Sequence, residues 1–381
     1  MIELTLAQTR AVRVAGRLGA VAASFVFLSL AITQGPPMSP EGPGIERDIQ
    51  YIFVVIGILA TLLAWRWSLP GGLLLVLTGI VLGIAAAGRF SEPTALISAL
   101  LSLVPGDFHY ENIVSNDALA FLDAYTAQIT SPAQAALYRQ TPIAYVWDDH
   151  DFGGSNSNGT SAASEAARLT YRNSVPHYEL PAGEGDAAIY QAFSIGRVRF
   201  VMTDTRSMRD LETMADGSAS LLGEEQREWL KQELLLGSHE YDLVVWVNAV
   251  PWIAPADGAR DDWGGYAKER SEIANFIAVN GITNLMMLSG DAHMLAIDDG
   301  ANTDYSDTGG AAFPLMHAAA TDRPGSVKGG PYSEGTSPGA GQYGLVTFRS
   351  TAEGMVVTMS GRNWLREQLI GYEFTVPTPD S

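Results

Sequence analysis

The sequence predicts a mixed α/β domain of roughly 280 residues, preceded by about three transmembrane helices. Three observations lead there. Three apolar stretches almost free of charge lie before residue 90. Charge divides sharply along the chain: of 23 Lys/Arg and 42 Asp/Glu in 381 residues, residues 1–94 hold six and five, so the acidic excess lies in the remainder. From about residue 95, short apolar runs alternate with amphipathic stretches, as strands and helices around one core do.

The expected spans cover about 18–34, 51–67 and 71–88. A membrane helix needs about 20 largely apolar residues, with roughly 17 as a practical minimum. The first stretch alone would also fit a cleaved signal peptide, but two more follow it. Arg10, Arg13 and Arg17 precede the first span, the loop 35–50 carries one Arg and three acids, and Arg66 sits between Trp65 and Trp67 in the next turn. Cationic residues stay on the cytoplasmic side, so the expectation is a membrane-embedded region 1–94 with residues 95–381 on the extracytoplasmic side. The short apolar run Thr94–Val104 is too brief for a fourth span and reads as a core strand or helix.

In the second region, Ile143–Trp147 reads as a strand bounded by Pro142 and acids. Ile189–Ile195 and Val198–Met202 flank Gly196-Arg197 as a hairpin. Glu224–Leu236 places Trp229, Leu230 and Leu234 on one helical face. Leu243–Val250 and Leu285–Leu288 read as buried strands, Glu269–Val279 as a helix, and Tyr343–Phe348 and Met355–Met359 as late strands. The glycine-rich stretch 329–344 reads as a loop.

The chain has no Cys, which excludes disulfides, thiolate-bound zinc, iron–sulfur clusters and thiol catalysis. A net charge of −19 makes nucleic-acid binding unexpected. The candidate chemistry lies with carboxylates and imidazoles. Two apolar strands run straight into them: Ile143–Trp147 into Asp148-Asp149-His150-Asp151, and Leu285–Gly290 into Asp291-Ala292-His293. A third cluster is Gly106-Asp107-Phe108-His109-Tyr110. Open α/β sheets build sites at the carboxyl ends of strands, and packed acids repel one another unless a bound cation offsets them. Imidazole with carboxylate suits zinc, iron or manganese, and carboxylates alone suit calcium or magnesium. Taken singly, each motif also reads as an ordinary turn or helix cap. Arg206, beside Asp204, could clamp a phosphate in a bidentate way or form a structural pair with Asp204. Lys328, in a glycine-rich loop, could bring a cation to substrate.

These residues resemble the PhoD-like (alkaline phosphatase D) metallophosphatases over about residues 100–350. The matching pieces are Gly106–Tyr110, Trp147–Gly153, Asp204-Thr205-Arg206, Gln226 with Trp229-Leu230, Val250-Pro251-Trp252 and Ser289–His293. The resemblance implies a four-layer αββα sandwich and a phosphoesterase holding two divalent or trivalent metal ions (iron, calcium, zinc or manganese). It implies metal-ligating roles for Asp107 (bridging), Tyr110, Asp149, Asn156, Asp291 and His293, and catalytic roles for His150 and Arg206. A phosphate ester is the implied substrate, either a monoester or a diester. The family's early strand ligand, often Cys or Asp, has no match, because no acid lies between Glu92 and Asp107. That departure motivates a second reading: a membrane protein that keeps the fold as a non-catalytic binding or scaffold module.

Overall fold

The structure, a computed structural model, describes residues 101–211, 218–257, 261–318, 321–323 and 325–377. Its centre is a seven-stranded sheet in the order β3-β4-β5-β6-β8-β7-β9. These strands are β3 (Gln191–Ile195), β4 (Val198–Met202), β5 (Leu243–Asn248), β6 (Leu285–Ser289), β7 (Met294–Asp298), β8 (Leu315–Ala318) and β9 (Thr336–Pro338). The middle strands β4, β5, β6 and β8 are parallel, and the edges are antiparallel.

Side-chain alternation sorts each central strand onto two faces. Leu243, Val245 and Val247 enter one core while Val244 and Trp246 enter the other. Every β5 residue is buried, so the strand reads as an unbroken apolar run rather than as polar alternation. On one face lie the helices Glu224–Glu240 and Ala267–Val279, through Leu230, Leu234, Ile273 and Ile277. On the other lie two further sheets. The parallel pair is β1 (Ser102–Pro105) with β2 (Ile143–Val146), and the antiparallel meander is β10 (Gln342–Thr351), β11 (Gly354–Asn363) and β12 (Gln368–Pro377). Beyond the β1–β2 pair, helices Ala118–Thr130 and Ser164–Ser174 press Phe121, Tyr125 and Tyr171 onto Tyr145 and Trp147. The layers are αββα-like.

The spans expected at 18–34, 51–67 and 71–88 lie outside the described residues. Among the described residues, no helix is long and apolar enough to cross a membrane. The longest, Glu224–Glu240, has 17 residues and carries charge along its length, against about 20 apolar residues for a span. The expectation is corrected on this point. The described fold is an αββα-like domain, and membrane anchoring, membrane-embedded contacts and an extracytoplasmic location are not supported by it. The described part of the run at Thr94–Val104 belongs to strand β1.

Strand ends from different sheets meet in one place. Gly290 follows β6 so closely against β1 that a Cβ there would lie 2.0 Å from the Pro105 carbonyl oxygen. Gly106, at φ +99°, brings the end of β1 against Asp148. Behind this junction, burial pushes His317 of β8 down to about 4, opposed in part by the Gly290 backbone.

Two outcomes follow from this junction. Gly290→Ala should destabilise the domain by about 1–3 kcal/mol, the usual cost of overpacking, read as a lowered thermal midpoint; an unchanged midpoint would show that the two strand ends can part freely. His317 should make the fold acid-sensitive. With a folded pKa of about 4 and an ordinary unfolded value near 6.5, the unfolded chain binds the extra proton between those limits. Stability therefore falls as pH drops through that window, by roughly 3 kcal/mol at full extent. Urea titrations should show a smaller acid-induced loss in His317→Gln than in the wild type.

Candidate metal centre

The junction collects acids and imidazoles because each motif directly follows a strand. Asp107 leaves β1, Asp148 and Asp149 leave β2, and Asp291 and His293 leave β6. Asp107, Asp291 and His293 hold positive φ angles of 49°, 59° and 51°. Such angles are uncommon outside glycine and cost of order 1–3 kcal/mol each.

Two groups of side chains result, each with donor atoms within 4.8 Å of one another: Asp107, Asp149 and His150, and Asp107, Asp148 and Asp291. Asp107 is common to both. Its Oδ2 accepts from the Tyr110 hydroxyl and lies 3.6 Å from His293 Nε2. The Tyr110 hydroxyl also contacts His293 Nε2. Asp107 Oδ1 and Asp148 Oδ2 are buried with no hydrogen-bond partner. A buried carboxylate oxygen without a partner costs free energy that a cation would recover. The donor set, carboxylate oxygens with imidazole and phenol, suits hard to borderline metal ions. The residues fit, and both groups are able to coordinate divalent metal ions.

The surrounding electrostatics point the same way. Burial pushes Asp148 well up and Asp291 up, against the opposing charges of Arg206 and Lys328. Burial also pushes Asp107 up, but bonds with His293 and Tyr110 outweigh it and hold the carboxyl below its ordinary value. Burial, then the neighbouring Asp107, push the Tyr110 phenol far up. Asp151 ties two motifs together, since its carboxylate accepts from the backbone N–H groups of Phe108 (2.9 Å), His109 (2.8 Å) and Asp148 (3.3 Å). Burial still raises it to about 8.

Six of the eight expected site residues converge here: Asp107, Tyr110, Asp149, His150, Asp291 and His293. Asn156 reaches Asp149 through its backbone, whose N–H donates to Oδ2 at 2.6 Å, while the residue lines the cleft. Arg206 lies beneath the cleft floor rather than in its lining. Its Nε donates to Asp148 Oδ1 at 2.5 Å, and its other nitrogens meet Asp261 at 3.0 to 3.4 Å. Asp204 does not pair with this guanidinium. It accepts from the backbone of Ile189, Arg206 and Ser207 and from Trp147 Nε1, with Gln226 bonding its backbone.

Asp148 was missed as a member of the centre. The signal was present, because it is the first acid after the strand. Asn112 was also missed; its Oδ1 lies 2.5 Å from His150 Nδ1, and no motif marks it. The cleft is about 370 Å³ and also includes Ser155, Asp261, Asp262 and Lys328.

Alkaline phosphatase D from Bacillus subtilis (strain 168) is 28% identical over 197 residues, which are 44% of this chain and 34% of that protein. The chain thus spans about a third of the length of that curated relative. The solved structure of PhoD superposes with a TM-score of 0.49 at 17% identity, covering 73% of this chain and 66% of that one. A purple acid phosphatase from yellow lupin (Lupinus luteus) gives 0.46 at 11% identity over 72% and 46%. The family model for PhoD-like phosphatases matches residues 109–331, more than half of the chain, and the chain belongs to the PhoD-like phosphatase family.

Proposed function

We propose that this protein is a metal-dependent phosphoric ester hydrolase of the alkaline phosphatase or phosphodiesterase type. At the level of the family, metal-dependent phosphoesterase activity is supported by the family match and the two metal-capable groups. The observation that carries the finer reading is that both groups share Asp107, the arrangement a two-metal centre requires.

In this reading, Asp107, Asp148, Asp149, Asp291 and His293 hold the ions, with Tyr110 beside them. When bound, such ions supply Lewis-acid stabilisation of phosphoryl charge and a more acidic water. The chain does the rest. Asn112 Oδ1 accepts from the Nδ1–H of His150, which leaves Nε2 directed to the cleft, 3.9 Å from Asp149 Oδ1. As the imidazolium, with a proton on both ring nitrogens, His150 donates its Nε2 proton to the leaving oxygen or stabilises phosphoryl charge. The Tyr110 ring lies 4.2 Å from the His150 ring and limits its motion. Arg206 holds Asp148 in place from below. The acidic cleft rim, with Asp261 and Asp262, disfavours extended polyanions and fits a small phosphate ester.

Metal analysis of the purified protein should return roughly two equivalents, and Asp107→Asn or His293→Ala should lower that content and abolish hydrolysis of aryl phosphates. One equivalent or none in the wild type, with no turnover, would instead favour the non-catalytic module.

His150→Ala should keep its metal and lose turnover by about 10²–10⁴-fold, the usual contribution of general acid catalysis. Loss of metal in that variant would make His150 a ligand and remove it as the proton donor.

A further inference from the structure

The segment after β8 carries two cations to the cleft. Lys328 lines it, with Nζ 3.3 Å from both the carbonyl oxygen and Oδ1 of Asp291. The guanidinium of Arg323 lies 3.6 Å from the centre of the Tyr110 ring. Lys328 is thus the cation in contact with a metal-capable group, through Asp291.

Residues 325–332 are fastened rather than loose. A Cβ at Gly325 would lie 2.4 Å from His293 Cβ, so the backbone crosses directly against that ligand candidate. Gly329, at φ +67°, passes so close to Ile253 that a Cβ would lie 2.0 Å from its carbonyl oxygen. The Gly330 N–H donates to the same oxygen at 3.0 Å. The Tyr332 hydroxyl donates to the Lys328 carbonyl at 2.9 Å, and the Tyr332 ring stands edge-on to the buried His317. The lysine backbone is thus held from both sides, while its side chain, 43% exposed, faces the cleft mouth.

Resting on the reading above, we propose that Lys328 is a specificity-determining residue that binds a non-reacting terminal oxygen of the phosphoryl group and so favours monoester dianions over diester monoanions. Four carboxylates line the floor and the buried Arg206 is already engaged by Asp148 and Asp261. Any phosphoryl charge not met by bound metal must find a cation at the mouth. A monoester brings three terminal oxygens and a second negative charge, whereas a diester brings two and one. A fixed ammonium stabilises the first more than the second, because Coulomb attraction scales with charge. Lys328 satisfies this with protons left over from Asp291, since an ammonium has three.

The test compares metal-loaded wild type, Lys328→Met and Lys328→Arg on p-nitrophenyl phosphate and bis(p-nitrophenyl) phosphate. Inorganic phosphate binding is followed by calorimetry beside it. Lys328→Met should raise KM for the monoester about tenfold, as expected for a charged hydrogen bond at a half-exposed site. It should raise KM for the diester by less, so that the monoester-to-diester ratio of kcat/KM falls several-fold. Phosphate affinity should fall about tenfold with it, and Lys328→Arg should keep most of both. A ratio and a phosphate affinity unchanged in Lys328→Met overturn the inference. If wild type hydrolyses neither ester yet binds phosphate through Lys328, the hydrolytic reading fails and the anion contact stands.

Discussion

Mutual repulsion among carboxylates brought to one point is the constraint around which this domain is arranged. Asp107, Asp148, Asp149 and Asp291 leave the ends of three strands and converge with Asp151 immediately behind them. Burial first, and the neighbouring carboxylates after it, push Asp148 and Asp291 up. The fold answers with a graded set of compensations. Arg206, itself fully buried, neutralises Asp148 from beneath and is in turn held by Asp261, which Arg209 also contacts. Asp151 is met by three backbone N–H groups rather than by a cation. What is left without a hydrogen-bond partner is Asp107 Oδ1 and Asp148 Oδ2, on two residues of the donor groups. Removing any one partner would leave a buried charge without its counterpart, which costs more than the pair itself contributes.

Bringing those strand ends together requires unusual backbone. Gly106 and Gly290 are positions where no side chain fits, because the two sheets touch there. The left-handed angles at Asp107, Asp291 and His293 are different in kind, since these residues keep side chains that a glycine would lack. Strain of this sort persists only where surrounding packing over-determines it, and it concentrates where geometry serves chemistry. Here the packing is supplied by Trp147, Phe152 and Tyr171 on one side and by Trp246, Trp252 and Trp263 on the other, all fully buried. None of these aromatics lines the cleft; they belong to the two cores on either side of the central sheet.

Much of this was legible in the sequence. The strand at Ile143–Val146, the hairpin around Gly196, the strands β5 and β6 and the two helices on the outer face all sit where apolar runs and 3.6-residue spacing place them. Strands β7 and β8 were not legible. β7 begins directly after His293, because the turn is made by Asp291 and His293 in left-handed conformation without glycine at either position. Gly290-Asp291 marks the turn, but nothing in the sequence marks that a strand resumes directly after His293. The helix Ser164–Ser174 was hidden for another reason: it buries Ala166, Ala167, Thr170 and Tyr171 beneath a largely polar surface, so its apolar face is too small to register. β12 was missed although Tyr372-Glu373-Phe374-Thr375-Val376 alternates apolar and polar residues as a half-exposed strand does. In the site, acids that end strands were visible, but Asn112 and the burial of Arg206 depend on tertiary contacts that no local pattern encodes.

The burial of Arg206 redistributes roles within the cleft. A guanidinium recognises phosphate through two parallel N–H donors. In this structure, Nε is committed to Asp148, and both terminal nitrogens are committed to Asp261. Taking a phosphate would mean releasing Asp261, and through it Arg209, which also bonds Tyr266. The cost would fall on Arg206 and Arg209, whose side chains are almost fully buried and have little access to replacement hydrogen bonds. Anion recognition is therefore cheaper at the mouth, where Lys328 bonds the carbonyl oxygen and Oδ1 of Asp291 and its side chain is 43% exposed. A buried arginine that sets the geometry of the acids and an exposed lysine that meets the ligand divide between them two tasks that a single clamp would otherwise combine.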